Sequence, residues 1–544
     1  MESKLNQKPC VVQLIQTPQG FSVSYKEHLL YSKYNPKKNI ITAIEQQTIL
    51  PGTIILCCSP LLGYGLCELL AKLPENCLIV LCEAEQSLFD FTEKENTLIF
   101  NDERILNCKP ENLKELPVAL YEKAVSGKFK RVIRIDFSAG VQFHQDFYNQ
   151  IFSACSDSVM TFWKNRITLT KFGRRYSKNL FENLKYLSDS KPITDFFEAI
   201  EKPILVLGAG QSTQTFLQKN KIKKDDFYIL CADTAFVPLL KNHIKPDGVF
   251  IEEAQSVITK AFIGCSLNNA DFSETQIFAG LSSIPNLCHI AKAQNFSYFF
   301  TEYTKACFLD ELQQKSFMPP ANSPFGSVGL TAVYYALKFR KNESIPVYVC
   351  GLDFSYSIGI THTKNALAHI LRLSSANRLI PIENYAAAFS NGTTYAKEKS
   401  GTGNIFVTTP TLQTYAQMFN NLFLGTKNLY DAGESGIPLA ILKGTPLLQN
   451  SKVENHILKN TFSENQKKEL KEYLQNEKKS LEYLKNLLTG KTDLKGSKLI
   501  EEITKIAECK EYLFLHFADG NTFNSTQSFL NRIRTEIDFF LKYM

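Results

Sequence analysis

The amino-acid sequence predicts an α/β protein with two α/β domains followed by an α-helical bundle. Up to about residue 445, short apolar segments rich in β-branched and aromatic residues alternate with helix-like segments. Beyond that point the apolar residues recur at helical spacing. The length of 544 residues leaves room for about three folding units of roughly 100 to 200 residues each. The hydrophobic fraction of 44% excludes disorder as the main state of the chain.

The first segment, residues 1–190, is predicted to form a Rossmann-like domain. Its apolar runs are separated by helix-like stretches and read VVQLIQ, FSVSY, TIILCC, CLIVLCE and RVIRIDF. Such alternation is typical of βαβ units and a parallel sheet. The turn-rich sequence SDSKP at residues 188–192 marks the end of this domain.

The second segment, residues 191–445, is predicted to form a doubly wound domain. Its strands are expected at ILVLGAG, FYILCAD, GVFIEEA, QIFAG and VYVCGLD. Nearly continuous apolar strands indicate a parallel sheet that is covered by helices on both faces. In such sheets the ligand binds outside the carboxyl ends of the strands, so the residues that follow each strand are the candidates for a site.

The third segment, residues 446–544, is predicted to be an α-helical bundle. Its apolar residues follow i, i+3, i+4 and i+7 steps, as in the series Leu470, Tyr473, Leu474, Leu481, Leu484 and Leu488. Two interpretations stay open, namely a structural cap with solvated outer faces and a docking surface for a protein partner.

Charge and composition exclude several classes of function. The 61 basic side chains exceed the 54 acidic ones by only seven, and no block of five basic residues occurs, so no nucleic-acid partner is expected. The longest apolar runs fall short of the roughly 18 residues of a membrane span, and the N-terminus lacks a secretory signal pattern. None of the 14 cysteines forms a C-x-x-C pair. We therefore expect a cytoplasmic protein without membrane insertion and without a zinc or redox site.

The first candidate for ligand binding is the loop after the strand ILVL. Gly208 and Gly210 allow close backbone approach, and the helix that starts near Gln211 and Ser212 aims free N–H groups at an anion. The pattern predicts a phosphate-type site. A third glycine is missing, so a nicotinamide dinucleotide is not expected.

Polar residues also follow the next two strands. Asp233 and Thr234 come directly after FYILCA, where either ligand contact or helix capping fits Asp233. The third strand ends at Glu252 and Glu253. Because carboxyl ends of parallel strands meet at one edge of the sheet, we expect these groups near the glycine loop.

A second helix start and a polar loop complete the predicted site. Gly326 and Ser327 precede the apolar helix LTAVYYALKF and again suit an anion. After VYVCG, the residues Asp353, Tyr356 and His362 place an acid, a phenol and an imidazole within ten residues. This clustering at a strand end makes His362 a candidate for function rather than for structure alone.

These segments resemble a known family. ILVLGAGQS, CADTAFVPLLKNHIKPDGVF, PFGSVGLTAVYYAL and GLDFSYSIGITH are similar to the central domain of motility accessory factors, the Maf flagellin glycosyltransferases. That domain shares a superfamily with 6-hydroxymethylpterin diphosphokinases and resembles bacterial sialyltransferases, a variant of the GT-A type. The resemblance extends over residues 30–445 and includes Ser59–Gly65 with Glu83, Asn165–Gly173 with Asn179, Thr408 with Thr409, and Asp431–Gly436.

The resemblance implies transfer of a pseudaminic or legionaminic acid from its CMP derivative to Ser or Thr of flagellin. It implies no cofactor beyond this donor and, without a D-x-D motif in the central segment, no metal. The implied catalytic residues are His362, Tyr356 and Asp353, with His369 as an alternative general base. The implied donor-binding residues are Gly208, Gly210, Gln211, Ser212, Asp233, Thr234, Glu253, Gly326 and Ser327.

Two alternatives to this function stay open. One is a pyrophosphoryl transfer like that of the 6-hydroxymethylpterin diphosphokinases. The other is a homologue that binds flagellin without catalysis, since Gln211 stands where relatives have proline and the acid after the third strand is divided between Glu252 and Glu253. In the N-terminal domain, Pro60 interrupts the glycine motif, and we expect a scaffold without a cofactor.

Overall fold

The computed structural model supports the predicted mixture of parallel α/β structure and C-terminal helices. It describes residues 11–96, 102–262, 271–301, 306–319, 321, 324–357, 360–382, 397–399, 405–446, 455 and 461–544. The chain forms two compact units: Met1–Gly173 with Phe514–Asn524, and Arg174–Leu513 with Ser525–Met544. No helix in these ranges is long and apolar enough to cross a membrane.

The first unit contains a four-stranded parallel sheet and a small antiparallel one. Its strands are β1 Gln13–Thr17, β2 Gly20–Tyr25, β3 His28–Leu29, β4 Thr53–Cys58, β5 Leu78–Cys82, β6 Ile105–Cys108 and β7 Arg131–Asp136. Its helices are α1 Lys38–Gln46, α2 Leu66–Lys72, α3 Gln86–Glu95, α4 Leu116–Val125 and the first part of α5 Gln145–Leu187. The parallel sheet has the order β6-β5-β4-β7. Every residue of β4 is buried, which explains its unbroken apolar sequence.

The glycine loop of the first unit packs on its own chain. A Cβ on Gly63 would lie 1.9 Å from Oδ1 of Asn96, the residue that follows α3. The amide of Asn96 donates to the carbonyl oxygen of Leu61 at 2.5 Å. The space that a ligand would need beside Gly63 is therefore filled by a side chain of the unit.

Helix α5 crosses the boundary between the two units. It runs without interruption from Gln145 to Leu187. The sequence predicted a boundary at residue 190, where this helix has ended, whereas the contacts divide the chain at Gly173. A turn-rich segment in the sequence shows where a helix ends. A division of contacts inside a continuous helix has no corresponding feature in the sequence.

The second unit is built on an eight-stranded sheet with the order β12-β11-β10-β9-β8-β13-β16-β17, in which all neighbours are parallel. The strands are β8 Ile204–Leu207, β9 Tyr228–Ala232, β10 Gly248–Ile251, β11 Gln276–Gly280, β12 Ser297–Thr301, β13 Val347–Cys350, β16 Leu429–Asp431 and β17 Leu442–Lys443. The strands β14 Lys397–Lys399 and β15 Ile405–Val407 form a separate antiparallel pair. The described helices are α6 Gln211–Lys219, α7 Asp233–Lys241, α8 Asn286–Ala293, α9 Asp310–Gln314, α10 Val328–Phe339, α11 Leu367–Ser375, α12 Pro410–Phe423, α13 Glu464–Leu488, α14 Gly496–Ala507 and α15 Gln527–Phe540.

The order of the strands creates a switch point. From β8 the chain adds β9 to β12 on one side of the sheet, and then β13, β16 and β17 on the other. The strand order therefore reverses between β8 and β13, and the carboxyl ends of strands at such a point are where doubly wound folds bind ligands.

Helix α10 is held against this sheet by aromatic side chains. The rings of Phe250 and Tyr335 are stacked at 5.6 Å, and those of Phe278 and Phe339 lie 5.3 Å apart. All four side chains are buried. Their packing fixes the start of α10 at the carboxyl edge of the strands.

The C-terminal helices are amphipathic, as their sequence predicts. Ser463 begins α13 with a capping box, in which its hydroxyl accepts from the N–H of Gln466 at 3.3 Å. Leu481 and Leu484 are buried along the apolar face of this helix. A buried ion pair between Lys510 and Glu477, 2.7 Å long, ties the segment after α14 to α13.

Candidate active site

The glycine loop after β8 is in close contact with the loop after β13. The N–H of Gly208 donates to Cys350 at 2.8 Å, and the N–H of Gly210 donates to Gly351 at 2.9 Å. A Cβ on Gly208 would lie 2.4 Å from the carbonyl oxygen of Gly351, and one on Gly210 would lie 2.5 Å from a carboxylate oxygen of Asp353. The absence of side chains at these glycines therefore allows a second loop of the same chain to pack against the backbone. The sequence predicted that a ligand would occupy this space.

Asp353 fills the anion position at the start of α6. Its Oδ2 accepts from the backbone N–H of Ser212 at 2.9 Å, and its other carboxylate oxygen accepts from the hydroxyl of Ser212. Burial raises the pKa of Asp353 to about 6, and the hydrogen bonds from Ser212 oppose this rise. The carboxylate predicted as catalytic thus binds the helix start that was predicted to hold phosphate.

Gln211 and Tyr356 belong to the same loop contact. The hydroxyl of Ser357 donates to the side-chain oxygen of Gln211 at 2.8 Å. Tyr356 exchanges two backbone hydrogen bonds of 2.8 Å with Val407, and its side chain is buried. The loop after β13 is therefore fixed on one side by α6 and on the other by β15.

His362 lies in a segment that returns to the glycine loop. The N–H of Thr363 donates to the carbonyl oxygen of Ala209 at 2.7 Å. Nδ1 of His362 is 3.0 Å from the hydroxyl of Thr361. Burial, helped by the charge of Arg372, lowers the pKa of His362 to about 4. His362 is therefore neutral at pH 7 and a weak proton acceptor there.

Helix α11 contributes two further groups, which with Thr361 and His362 form what we call the His–Arg cluster. His369 is only 7% exposed, and its Nδ1 has no hydrogen-bond partner in the described part of the chain. Burial lowers the pKa of His369, as does the nearby Arg372. The guanidinium of Arg372 donates to the hydroxyl of Thr361. Arg372 belongs to no recognisable motif, so sequence reasoning did not select it.

The start of α10 lies on the other side of the β13 loop. A Cβ on Gly208 would approach the side chain of Leu352 to 2.7 Å, and a Cβ on Gly329 would approach it to 2.2 Å. Ser327 is the N-cap residue of α10, but its side chain makes no capping hydrogen bond. Gly326 has a positive φ of 68° beneath the ring of Tyr415. The two predicted helix starts therefore flank one side chain, that of Leu352.

A pair of carboxylates accompanies the start of α10. Oε1 of Glu252 accepts from the hydroxyl of Thr331, in the first turn of α10, at 2.8 Å. Burial, with a smaller effect of the neighbouring Asp233, raises the pKa of Glu252 to about 7. Burial likewise raises the pKa of Asp233 to about 6, although the backbone N–H of Thr234 donates to its carboxylate at 2.6 Å.

The predicted residue Glu253 is turned to its own loop. Its Oε1 accepts from the N–H of Gln255 at 2.8 Å. The sequence pointed to Glu253, whereas Glu252 is the residue that contacts α10. Strand β10 is buried on both faces, so apolar and polar residues do not alternate along it. Its sequence therefore does not indicate whether Glu252 or Glu253 contacts α10.

Asn179, in the second part of α5, stabilises the neighbouring loops. Its amide donates to the carbonyl oxygen of Ala254 at 3.1 Å and to that of Ser282 at 3.0 Å.

Within the described ranges, no three His, Cys, Asp or Glu side chains come together in a way that could hold a metal ion.

Comparison with known proteins identifies the family. Residues 175–359 match the family model described as 6-hydroxymethylpterin diphosphokinase MptE-like. An uncharacterised protein from Treponema pallidum (strain Nichols) is 30% identical over 558 residues, an alignment that covers 98% of this chain and 94% of that protein. Residues 175–359 form an MptE-like domain. The predicted MptE-like character of the central segment is confirmed, and the whole chain belongs to one family with the Treponema pallidum protein.

The MptE-like match includes the glycine loop after β8, the start of α10 and the beginning of the loop after β13, whereas the His–Arg cluster lies after residue 359. A solved MAf glycosyltransferase from Magnetospirillum magneticum AMB-1 is 13% identical, with a TM-score of 0.48, and the superposition covers 99% of this chain and 91% of that one. The resemblance of the MptE-like domain to sialyltransferases stays a prediction.

Proposed function

We propose that this MptE-like protein is a glycosyltransferase. It would move a nonulosonic acid of the pseudaminic or legionaminic type from its CMP derivative to Ser or Thr hydroxyls of flagellin. The observation that carries the proposal is the pair Glu252 and Asp233 beside the start of α10, because it combines a proton acceptor with a helix end suited to an anion. The motifs shared with the Maf flagellin glycosyltransferases supply the substrate class.

The reaction would require the site to stabilise the negative charge of the leaving phosphate and to remove the proton of the acceptor hydroxyl. The bond between the anomeric carbon and the phosphate oxygen breaks, and CMP leaves with the electron pair of that bond. The hydroxyl oxygen of the acceptor forms the new bond to carbon, and its proton passes to a base. N–H groups at the start of α10, with the hydroxyl of Ser327, would stabilise the leaving phosphate.

Three groups are candidates for the base: Glu252, His362 and His369. A base is most effective when its pKa lies near the working pH. The pKa of Glu252 is raised to about 7, whereas that of His362 is lowered to about 4. We therefore assign the role of general base to Glu252. His362 would instead form a hydrogen bond with the substrate.

The other predicted residues take supporting roles in this proposal. Asp353, which binds Ser212, would fix the loop after β13 in place and would not contact the substrate. Tyr356 and Gln211 would act through the same loop. We propose that the reaction takes place in the cytoplasm, without a cofactor or metal, and that the first unit serves as a scaffold.

The test is transfer to purified flagellin, measured as added mass per protein. With a CMP-nonulosonic acid as donor, we expect Glu252→Gln to lower the rate by about 10² to 10⁴, the usual contribution of a general base. Glu274→Gln is the matched control, since Glu274 is exposed, pairs with Lys224 and precedes β11, so it lies away from the carboxyl ends of the strands. Wild-type protein that adds no mass to flagellin would refute the proposed function, and full activity of Glu252→Gln would refute the assigned base.

A second candidate is pyrophosphoryl transfer to a pterin alcohol, favoured by the description of the matching family model. This reaction requires ATP with a divalent cation, whereas glycosyl transfer requires the CMP moiety. Thermal stabilisation by ATP with Mg²⁺ and none by CMP would favour the kinase. Normal flagellin mass in a strain that lacks the protein would instead favour a homologue that binds flagellin without modifying it.

A further inference from the structure

Arg372 is a cation without a counter-ion among the described residues. Its guanidinium is half-buried on α11, and burial lowers its pKa. Its guanidinium donates a hydrogen bond to the neutral hydroxyl of Thr361, and it forms no ion pair with any carboxylate that the structure describes. A charge that is partly removed from water is costly unless an opposite charge accompanies it.

The neighbours of Arg372 that the structure describes also carry no negative charge. His362 and His369 are both neutral at pH 7, because burial and Arg372 itself lower their pKa values. Lys364 adds a second positive charge near His369. The phenol of Tyr356 also lies close enough to act on Arg372. The cluster is therefore positive and offers N–H and O–H donors.

A buried ring nitrogen points independently to a ligand. His369 is only 7% exposed, yet its Nδ1 has no hydrogen-bond partner in the ranges that the structure describes. Buried polar atoms are normally paired. An incoming group with both negative charge and hydrogen-bonding oxygen atoms, some of them protonated, would satisfy the imidazole and the guanidinium together.

We propose that the His–Arg cluster is an anion-binding site in which Arg372 binds an acidic group of the donor substrate. The ligand chemistry is an oxyanion, either the phosphate of the nucleotide or the carboxylate of the acidic sugar. A planar guanidinium suits both, because it presents two parallel N–H groups to two oxygen atoms. The identity of the donor rests on the proposed function, whereas the anion site rests on the cluster.

The location of the cluster agrees with this role. The hydrogen bond between Thr363 and Ala209 holds the segment before α11 against the glycine loop. The start of α6 is already occupied by the carboxylate of Asp353. An anion at the switch point would therefore be bound by Arg372 rather than by the amides of α6.

The test measures binding to the full-length protein by calorimetry. The probes are CMP and neutral cytidine, free N-acetylneuraminic acid and its neutral methyl ester, and ATP. We expect Arg372→Gln to weaken the binding of CMP or of the free acid by about tenfold or more, and to leave the affinity for the matching neutral probe unchanged. Weaker binding of CMP alone identifies a phosphate as the ligand of Arg372, and weaker binding of the free acid alone identifies a carboxylate.

Two variants control for charge and for folding. Arg378→Gln removes the same charge from an exposed position six residues away and should bind like wild type. Arg372→Lys keeps the charge but not the fork, so its affinity should fall between those of wild type and Arg372→Gln. Thermal melting of each variant verifies that it is folded.

The outcomes separate this inference from the proposed function. Arg372-dependent binding of ATP, with no binding of CMP or the acidic sugar, would support the anion site and refute the glycosyltransferase. Equal affinity of wild type and Arg372→Gln for every anion would overturn the anion site and leave the glycosyltransferase to be judged by flagellin transfer. Wild-type protein that binds none of the anions would also overturn it.

Discussion

The two helix starts at the switch point have the same sequence character and different partners. Both α6 and α10 follow glycine-containing loops, and Gly208 before α6 and Gly329 in α10 both lie against the side chain of Leu352. The first amides of α6 lie against the carboxylate of Asp353, which is a buried group of the same chain. The N-cap residue of α10, Ser327, makes no side-chain capping bond, and the carboxylate of Glu252 accepts from Thr331 in the first turn of this helix.

The difference separates a structural from a functional use of one motif. An N-terminal helix end attracts negative charge whether the charge belongs to a ligand or to the protein. At α6 the protein supplies that charge itself, and the loops are held together. At α10 Ser327 makes no side-chain capping bond, and we propose that the substrate supplies the charge there, which moves the predicted phosphate contact from α6 to α10.

The largest expected effect is on the α6 side. Asp353→Ala should lower the free energy of unfolding of the second unit by about 2 to 4 kcal/mol, because the N–H and hydroxyl of Ser212 would lose their buried acceptor. Thermal denaturation of the full chain, followed by circular dichroism, measures the shift. Asp225→Ala, at an exposed position, is the control and should leave the transition unchanged. Equal melting of both variants would contradict a structural role for Asp353.

A smaller and pH-dependent effect is expected on the α10 side. Because folding raises the pKa of Glu252 to about 7, the folded protein holds a proton that the unfolded chain releases near pH 4.5. Stability should therefore decrease as the pH rises from about 4.5 to about 7. Glu252→Gln removes this loss, so the variant should be more stable than wild type by about 1 to 3 kcal/mol at pH 8.

The two proteins should have the same stability near pH 4, where the carboxyl of Glu252 is protonated in both the folded and the unfolded state. Melting temperatures measured between pH 4 and pH 8 give the comparison. Glu274→Gln, which removes an exposed acid, should follow the wild-type curve. A constant difference between Glu252→Gln and wild type at every pH would show that Glu252 does not titrate in this range.

The sequence predicted the strands well and the contacts between loops poorly. The run TIILCC corresponds to β4, and VYVC corresponds to β13. These strands are visible because burial on both faces demands continuous apolar residues. The contact between Ser212 and Asp353 joins positions 141 residues apart, and no local spacing records it. Arg372 was missed for a related reason, since an arginine on a helix looks like a solvated residue until its neighbours are known.

The smallest effect compares two serines at helix starts. Ser463 caps α13 with a hydrogen bond to Gln466, so Ser463→Ala should cost about 1 kcal/mol. Ser327 makes no such bond, so Ser327→Ala should cost less than about 0.5 kcal/mol. The same two variants should reverse their order in CMP affinity, measured by calorimetry, because only Ser327 faces the proposed phosphate. If Ser327→Ala destabilised the protein as much as Ser463→Ala and bound CMP like wild type, Ser327 would be an ordinary cap and the contrast between the two helix starts would be lost.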